Sequence, residues 1–197
     1  MDYLLALLQG LGIAAAIGIR PFLPVLLTGA LAAADLGIDF EDTAFSFLEQ
    51  TGFLLAIVAL VAIFGFVDRR RTGAETSDRD PVVIVLLVLA LGLGALEAAG
   101  SIDDLSADWW PGIPVGLAAA ALGFAAARSL FGRVRARLDK DAQGALPIYA
   151  EGAALATAGL SILFPPLALL IVVGLAWLLF GSRRRQGEKY AGLRILR

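Results

Sequence analysis

The sequence predicts an all-α fold, a polytopic helical membrane protein. Three observations carry that reading. The chain is 59% hydrophobic and only 17% charged, against about 45–50% and about 25% in a soluble domain, and its mean hydropathy is +0.82. Apolar runs close to the roughly 20 residues that a crossing needs recur along the chain. Fifteen of the sixteen Lys and Arg residues fall in three stretches, Arg69 to Arg79, Arg128 to Lys140 and Arg183 to Arg197. Two further connectors, Asp35 to Glu49 and Glu97 to Asp108, hold acids and no basic residue. Alternation of this kind follows from the positive-inside rule.

The first apolar stretch, 3–34, is too long for one ordinary span and is interrupted at Arg20-Pro21-Phe22-Leu23-Pro24. A proline inside a helix removes a hydrogen bond and clashes with the preceding turn. Two pieces are predicted, 3–18 and 22–34, forming a broken helix pair. Three regular spans follow, 52–67, 81–99 and 112–130. Pro81 is a favoured first helical residue, and Trp109-Trp110 suits the headgroup level. Arg133 to Lys140 reads as a basic amphipathic tail lying along the inner surface. The stretch 147–181 again exceeds one span and is broken at Pro165-Pro166. It is a second broken pair, followed by a basic tail over 182–197. The total is five to seven membrane segments in one integral membrane domain, 1–197.

Placing the basic stretches in the cytoplasm, with the protein multi-pass in the cell (inner) membrane, puts the C-terminus inside. The side of the N-terminus stays open. The stretch 147–181 then starts and ends on one side. Either it crosses twice as two short helices, or it is a re-entrant hairpin turning at Pro165-Pro166, which would need shelter from lipid. No cleavable signal peptide is expected, since the N-terminus has no basic region and its apolar run is long. Gly18 to Pro24 and Gly159 to Pro165 share a six-residue spacing after Ala-rich runs. That suggests an internal repeat of the kind seen in transporters. Gly10, Ala14 and Gly18, Gly12 and Ala16, Gly116 and Ala120, and Gly152 and Ala156 are spaced for close helix contact.

The chain has no Cys and no His. Disulfides, thiolate chemistry, His-ligated haem and the usual zinc sites are therefore excluded. No metal site, cofactor or nucleic-acid role is expected. Lys140 and Lys189 both lie in loops, which excludes a buried Schiff base. With no carboxylate pair, P-loop or nucleophile motif, no enzymatic activity is expected.

Three ionisable residues stand inside or at the margin of apolar segments. Arg20 is the sole basic residue outside the three basic stretches. A guanidinium at such a break suits phosphate or carboxylate, or else it snorkels to headgroups. Glu151 begins an otherwise apolar helix, where an acid favours the helix N-terminus, and it can pair with Arg128. Glu97 follows an apolar run and is expected at the outer boundary. Arg20, Glu151 and Glu97 are the candidate substrate-binding residues. Pro21, Pro24, Pro165 and Pro166 are the candidate structural breaks.

The stretch Gly12-Ile13-Ala14-Ala15-Ala16-Ile17-Gly18-Ile19-Arg20-Pro21-Phe22-Leu23-Pro24 resembles the N-terminal signature of the bacterial membrane proteins grouped as domain of unknown function 4126. Leu146-Pro147 with Glu151 and Pro165, and the tail Lys189-Tyr190-Ala191-Gly192-Leu193-Arg194-Ile195-Leu196, resemble it too. The likeness covers both ends; the Arg-rich loop at 68–80 is shorter than the family's. It implies a prokaryotic multi-pass membrane protein with Arg20, Pro24 and Glu151 as shared features, and implies no activity. The expected function is a small transporter or channel-like protein for an anionic solute or lipid phosphate, its two Pro-broken elements meeting near mid-membrane around Arg20. The alternative is a non-catalytic accessory or packing protein. Expected partners are membrane lipids, anionic ones included, and a second copy of the chain.

Overall fold

A computed structural model describes residues 2–70, 80–103 and 108–191. The described residues form α-helices with no strand: α1 (Asp2–Ile19), α2 (Phe22–Ala32), α3 (Thr51–Arg70), α4 (Pro81–Asp103), α5 (Gly112–Arg135), the short α6 (Lys140–Gln143), α7 (Leu146–Leu163) and α8 (Pro166–Ala191). Of these, α4, α5 and α7 are long and apolar enough to cross a membrane; α1, α2, α3 and α8 add shorter apolar stretches. Residues 71–79, which make up most of the Arg-rich loop, together with 104–107 and the tail end 192–197, lie outside the described residues.

The bundle is built around α1. Residues 13–17 of α1 are wholly buried on every face, because α4 and α5 pack on one side and α7 and α8 on the other. Small residues make this possible. Gly18 abuts the Ala120 carbonyl, Gly123 the Ala15 carbonyl and Gly116 the Gly94 carbonyl, so a Cβ at any of the three would strike backbone. Such approach is how helices associate where lipid supplies no hydrophobic drive between them. The predicted Gly10 and Gly116 stripes therefore do pack. Gly152 and Gly159, by contrast, face open space.

The bundle's outer surface is apolar. Leu55, Val58, Ile63 and Phe66 on α3, Ile84 and Val88 on α4, and Leu170 and Trp177 on α8 are all exposed. A soluble monomer rarely shows apolar surface on this scale; lipid-facing helices do.

The contacts fix which helix ends lie together. At one end are Arg20, the start of α4 at Val82, the end of α5 and the start of α7, gathered around one cavity. At the other end, Gln9 Nε2 donates to the Gly37 carbonyl at 2.8 Å, Gly10 meets Ala98 and Ser101, and Gly37 meets Ile162. The ends of α3 and α5, which lead into the first two basic stretches, thus share one end, and the acidic connectors share the other. The chain runs down α1, turns at Arg20-Pro21 and returns along α2, so that Thr28 reaches Glu97.

Four expectations are corrected. Pro24 is not a break: it is buried in the first turn of α2, where a backbone N–H has no helical partner to lose. The turn is at Arg20-Pro21 alone, with Pro21 preceding α2 in near-helical backbone. The two Pro-broken elements do pack side by side, with Gly12 against Ser161, but their turns lie at opposite ends. They do not meet around Arg20, and the six-residue Gly-to-Pro spacing marks no equivalent positions. The stretch 147–181, for which two forms were open, is two helices joined at Pro165. α7 runs from the Arg20 cavity at Leu146 and Ala150 to the Gly37 loop at Ile162, and Phe164, in extended backbone, leads into Pro165 and the first turn of α8. Arg133 to Lys140 is not one amphipathic tail: Arg133 and Arg135 complete α5, and a turn over 136–139 leads into α6.

The acidic connector 35–49 is an ordered cap rather than a plain loop. Phe40 and Leu48 are fully buried, and Ile38 and Phe45 nearly so. Phe40 and Phe45 pack over Gly100, and Phe45 meets Trp109 edge-on at 5.6 Å between centroids. Asp35, Asp42 and Gly37 take positive φ, which an Asp tolerates better than most residues.

Candidate functional site

Arg20 lies where α1 ends; its backbone N–H still donates to the Ala16 carbonyl at 3.1 Å, which holds the residue in the last turn. It lines a cavity of about 320 Å³. Arg128 and Arg135 line the same cavity. They are seven positions apart on α5, two turns along one face and about 10 Å in rise. The Arg128 guanidinium stands 5.8 Å from the centre of the Phe124 ring, a cation–π distance. The remaining wall is largely apolar, with Val82, Leu86, Phe131 and Leu146. Three arginines, the exposed Arg135 among them, thus line one largely apolar hollow.

A smaller cavity of about 50 Å³ adjoins it and shares Arg20, Pro21, Val82 and Leu86. Glu151 lines this second hollow beside Phe64 and Val67 of α3. Arg20, Pro21 and Glu151 are therefore neighbours at one end of the bundle. Sequence reasoning singled out these three and missed Arg128 and Arg135 as cavity residues. The signal for Arg135 was its seven-residue spacing from Arg128, hidden by reading the helix as ending near 130.

Glu97 belongs elsewhere. It lines neither cavity and is fully buried six residues before the end of α4, with no exposure. It is shielded within the protein rather than open at the surface. Thr28 of α2 packs onto it, which the length of its apolar run could not reveal. The Thr28 hydroxyl lies 2.8 Å from its Oε1, and its Oε2 has no hydrogen-bond partner. Pro165 and Pro166 lie at the far end of the bundle from Arg20. No group of acids or other ligands that could hold a metal ion occurs among the described residues.

No protein-family model, no curated protein and no solved structure matches this chain.

Proposed function

We propose that this chain is a small multi-pass transporter or channel-like protein of a prokaryotic cell membrane that takes an anionic solute or lipid phosphate at the Arg20 cavity. The observation that carries the reading is the lining of one hollow by Arg20, Arg128 and Arg135. Guanidinium groups offer planar two-point contacts to phosphate and carboxylate. The hollow is at the small end of the roughly 300–1,000 Å³ usual for ligand sites, a fit for a headgroup or small anion rather than a whole lipid. Its apolar wall suits the first carbons of an acyl or prenyl chain.

In this reading the basic helix ends face the cytoplasm. α1 starts at the acidic end, so the N-terminus is outside and the C-terminus inside. α1, α3, α4, α5, α7 and α8 cross, and α2, with eleven residues, returns part-way at about 16 Å. The polar cluster sits at headgroup depth on the cytoplasmic side.

The test is binding of inorganic phosphate and, separately, of phosphatidic acid in nanodiscs to purified protein. Wild type is compared with Arg20→Ala and Arg128→Ala. Expected is saturable binding of one of the two anions that each substitution weakens at least tenfold. Equal binding by all three proteins would leave an accessory or packing role.

A further inference from the structure

Glu97 carries an inference independent of what the Arg20 cavity binds. Thr28 has one hydroxyl proton and two acceptors in reach. These are the Val25 carbonyl at 3.0 Å and Glu97 Oε1 at 2.8 Å. An ionised carboxylate only accepts, so one of the two contacts would then lack a proton. A carboxylic acid resolves this: Glu97 donates to Thr28 Oγ, and Thr28 donates to Val25. The unpartnered Oε2 is then a neutral oxygen rather than half of a bare charge, and a bare buried charge costs far more than an unmet neutral acceptor.

Among the described residues, no cation is placed to neutralise an anion here. α2 holds no titratable residue. α1 has Tyr3 near its start, and Arg20 beyond its end faces the opposite cavity. α5 has Arg128, Arg133 and Arg135, all at that opposite end, and α7 has Tyr149 and Glu151 near its start, at the same end. On α4 itself, Asp103 is engaged with the Ala44 N–H at 2.9 Å. The nearest loop charges, Asp35, Asp39, Glu41, Asp42 and Glu49, are all acids and disfavour a second negative charge.

We propose that Glu97 is a proton-binding site of the bundle, and that loss of its proton is linked to separation of Thr28 on α2 from Glu97 on α4. The ionised form needs water or a donor at both oxygens. The sealed site offers neither, because Thr28, Val25 and the Phe40 side of the cap are all fully buried. Proton release therefore favours whatever arrangement lets water reach Thr28 and Glu97, and proton binding favours the closed one. Two states with different affinity for one ligand are all that such linkage requires.

The chain has no cysteine, so one introduced thiol reports cleanly. Val25→Cys is made in wild type and in Glu97→Gln, whose amide mimics the protonated acid, and labelling by a maleimide is followed against pH in nanodiscs. Expected is a rise in labelling with pH at least several-fold greater in the wild-type background than in Glu97→Gln. Identical pH profiles in the two backgrounds would overturn the proposal. Infrared difference spectra supply a readout that does not depend on the thiol: wild type should show a protonated-carboxyl band at neutral pH that is missing in Glu97→Gln. Absence of that band in wild type also overturns it. So does suppression of labelling by sodium at fixed alkaline pH, which would make the ligand a metal cation.

Discussion

The Asp103 carboxylate accepts a 2.9 Å hydrogen bond from the backbone N–H of Ala44, joining the end of α4 to the cap across 59 positions. Nearby, the Gln9 amide holds the Gly37 carbonyl from α1. These two bonds fasten the rim of a cap whose centre is the buried Phe40 and Leu48. The cap thus closes the α1–α2–α4 junction from the acidic end.

Asp103→Ala should loosen this rim without unfolding the bundle. The bond is exposed, so its loss costs about 1 kcal/mol, felt locally as opening of the cap. Hydrogen exchange at the Ala44 amide should speed up roughly five-fold or more while the α1 amides stay protected. Unchanged exchange at Ala44 would show that the apolar plug alone holds the cap.

Phe40→Ala should do much more, because it empties a fully buried site that packs on Gly100. Truncating a buried Phe costs about 3–5 kcal/mol. The expected result is a lower unfolding midpoint in detergent together with protease access to 35–50. A fall in midpoint with the cap still protected would place the lost stability elsewhere.

Glycine substitutions should separate packed from open faces. Gly123→Val places a side chain against the Ala15 carbonyl, and Gly18→Val one against Ala120. Backbone cannot yield as a side chain can, so each should cost at least the roughly 1–3 kcal/mol typical of overpacking. Gly152→Val meets nothing within 4 Å and should be tolerated. Thermal unfolding of the three variants in one detergent decides the matter, and comparable loss in Gly152→Val would contradict the packing described.

Glu49 gives the cap a mild pH dependence. Its pKa is raised, chiefly by burial and secondarily by Asp39, Glu41 and Asp35, while the Phe40 N–H bond pulls the other way. A carboxyl whose folded pKa is raised contributes stability that is present at low pH and is lost as pH rises through that pKa. Glu49→Gln keeps an acceptor for the Phe40 N–H. It should make the cap slightly more resistant to protease at neutral pH and flatten its pH dependence in the acid range. Greater protease access in Glu49→Gln at neutral pH would mean that the charge itself holds Phe40.

Much of this architecture was legible because lipid enforces simple rules. Helix positions followed from apolar length, as in α4 starting at Pro81, and the grouping of helix ends followed from the segregation of charge. What escaped was tertiary. Phe40, Phe45 and Leu48 sit among acids, and their spacing has no helical or strand period, so nothing local said that the two Phe fold back over α4 and Leu48 against Gly29 of α2. The burial of Glu97 escaped for the same reason: counting residues along one helix cannot register a neighbour, here Thr28 of α2, that covers it. The Pro motifs misled in another way. Pro24 and Pro165 look alike in sequence, yet one occupies the first turn of a helix and the other a turn between helices. The difference depends on the residues before them, since Arg20-Pro21 had already turned the chain.

The last prediction concerns Arg20 and its two companions. If the cavity grips an anion, Arg20→Ala should weaken binding at least tenfold while shifting the unfolding midpoint little, because the side chain is only half-buried. Arg20→Lys should rescue only in part. An ammonium keeps the charge but loses the planar fork that contacts two oxygens at once. Arg135→Ala should resemble Arg20→Ala, since both line one hollow. Arg133 lies two positions from Arg135 on α5, about 200° around the helix, so Arg133→Ala should bind as wild type does. A headgroup anchor predicts a different pattern: Lys replaces Arg20 fully along its apolar stem, and Arg133 and Arg135 contribute alike through surface charge. Binding of phosphatidic acid and inorganic phosphate to the four variants, beside the thermal stability of each, separates the two patterns. Full rescue by Lys with equal effects at 133 and 135 would remove the cavity as a ligand site and leave Arg20 as a topological anchor.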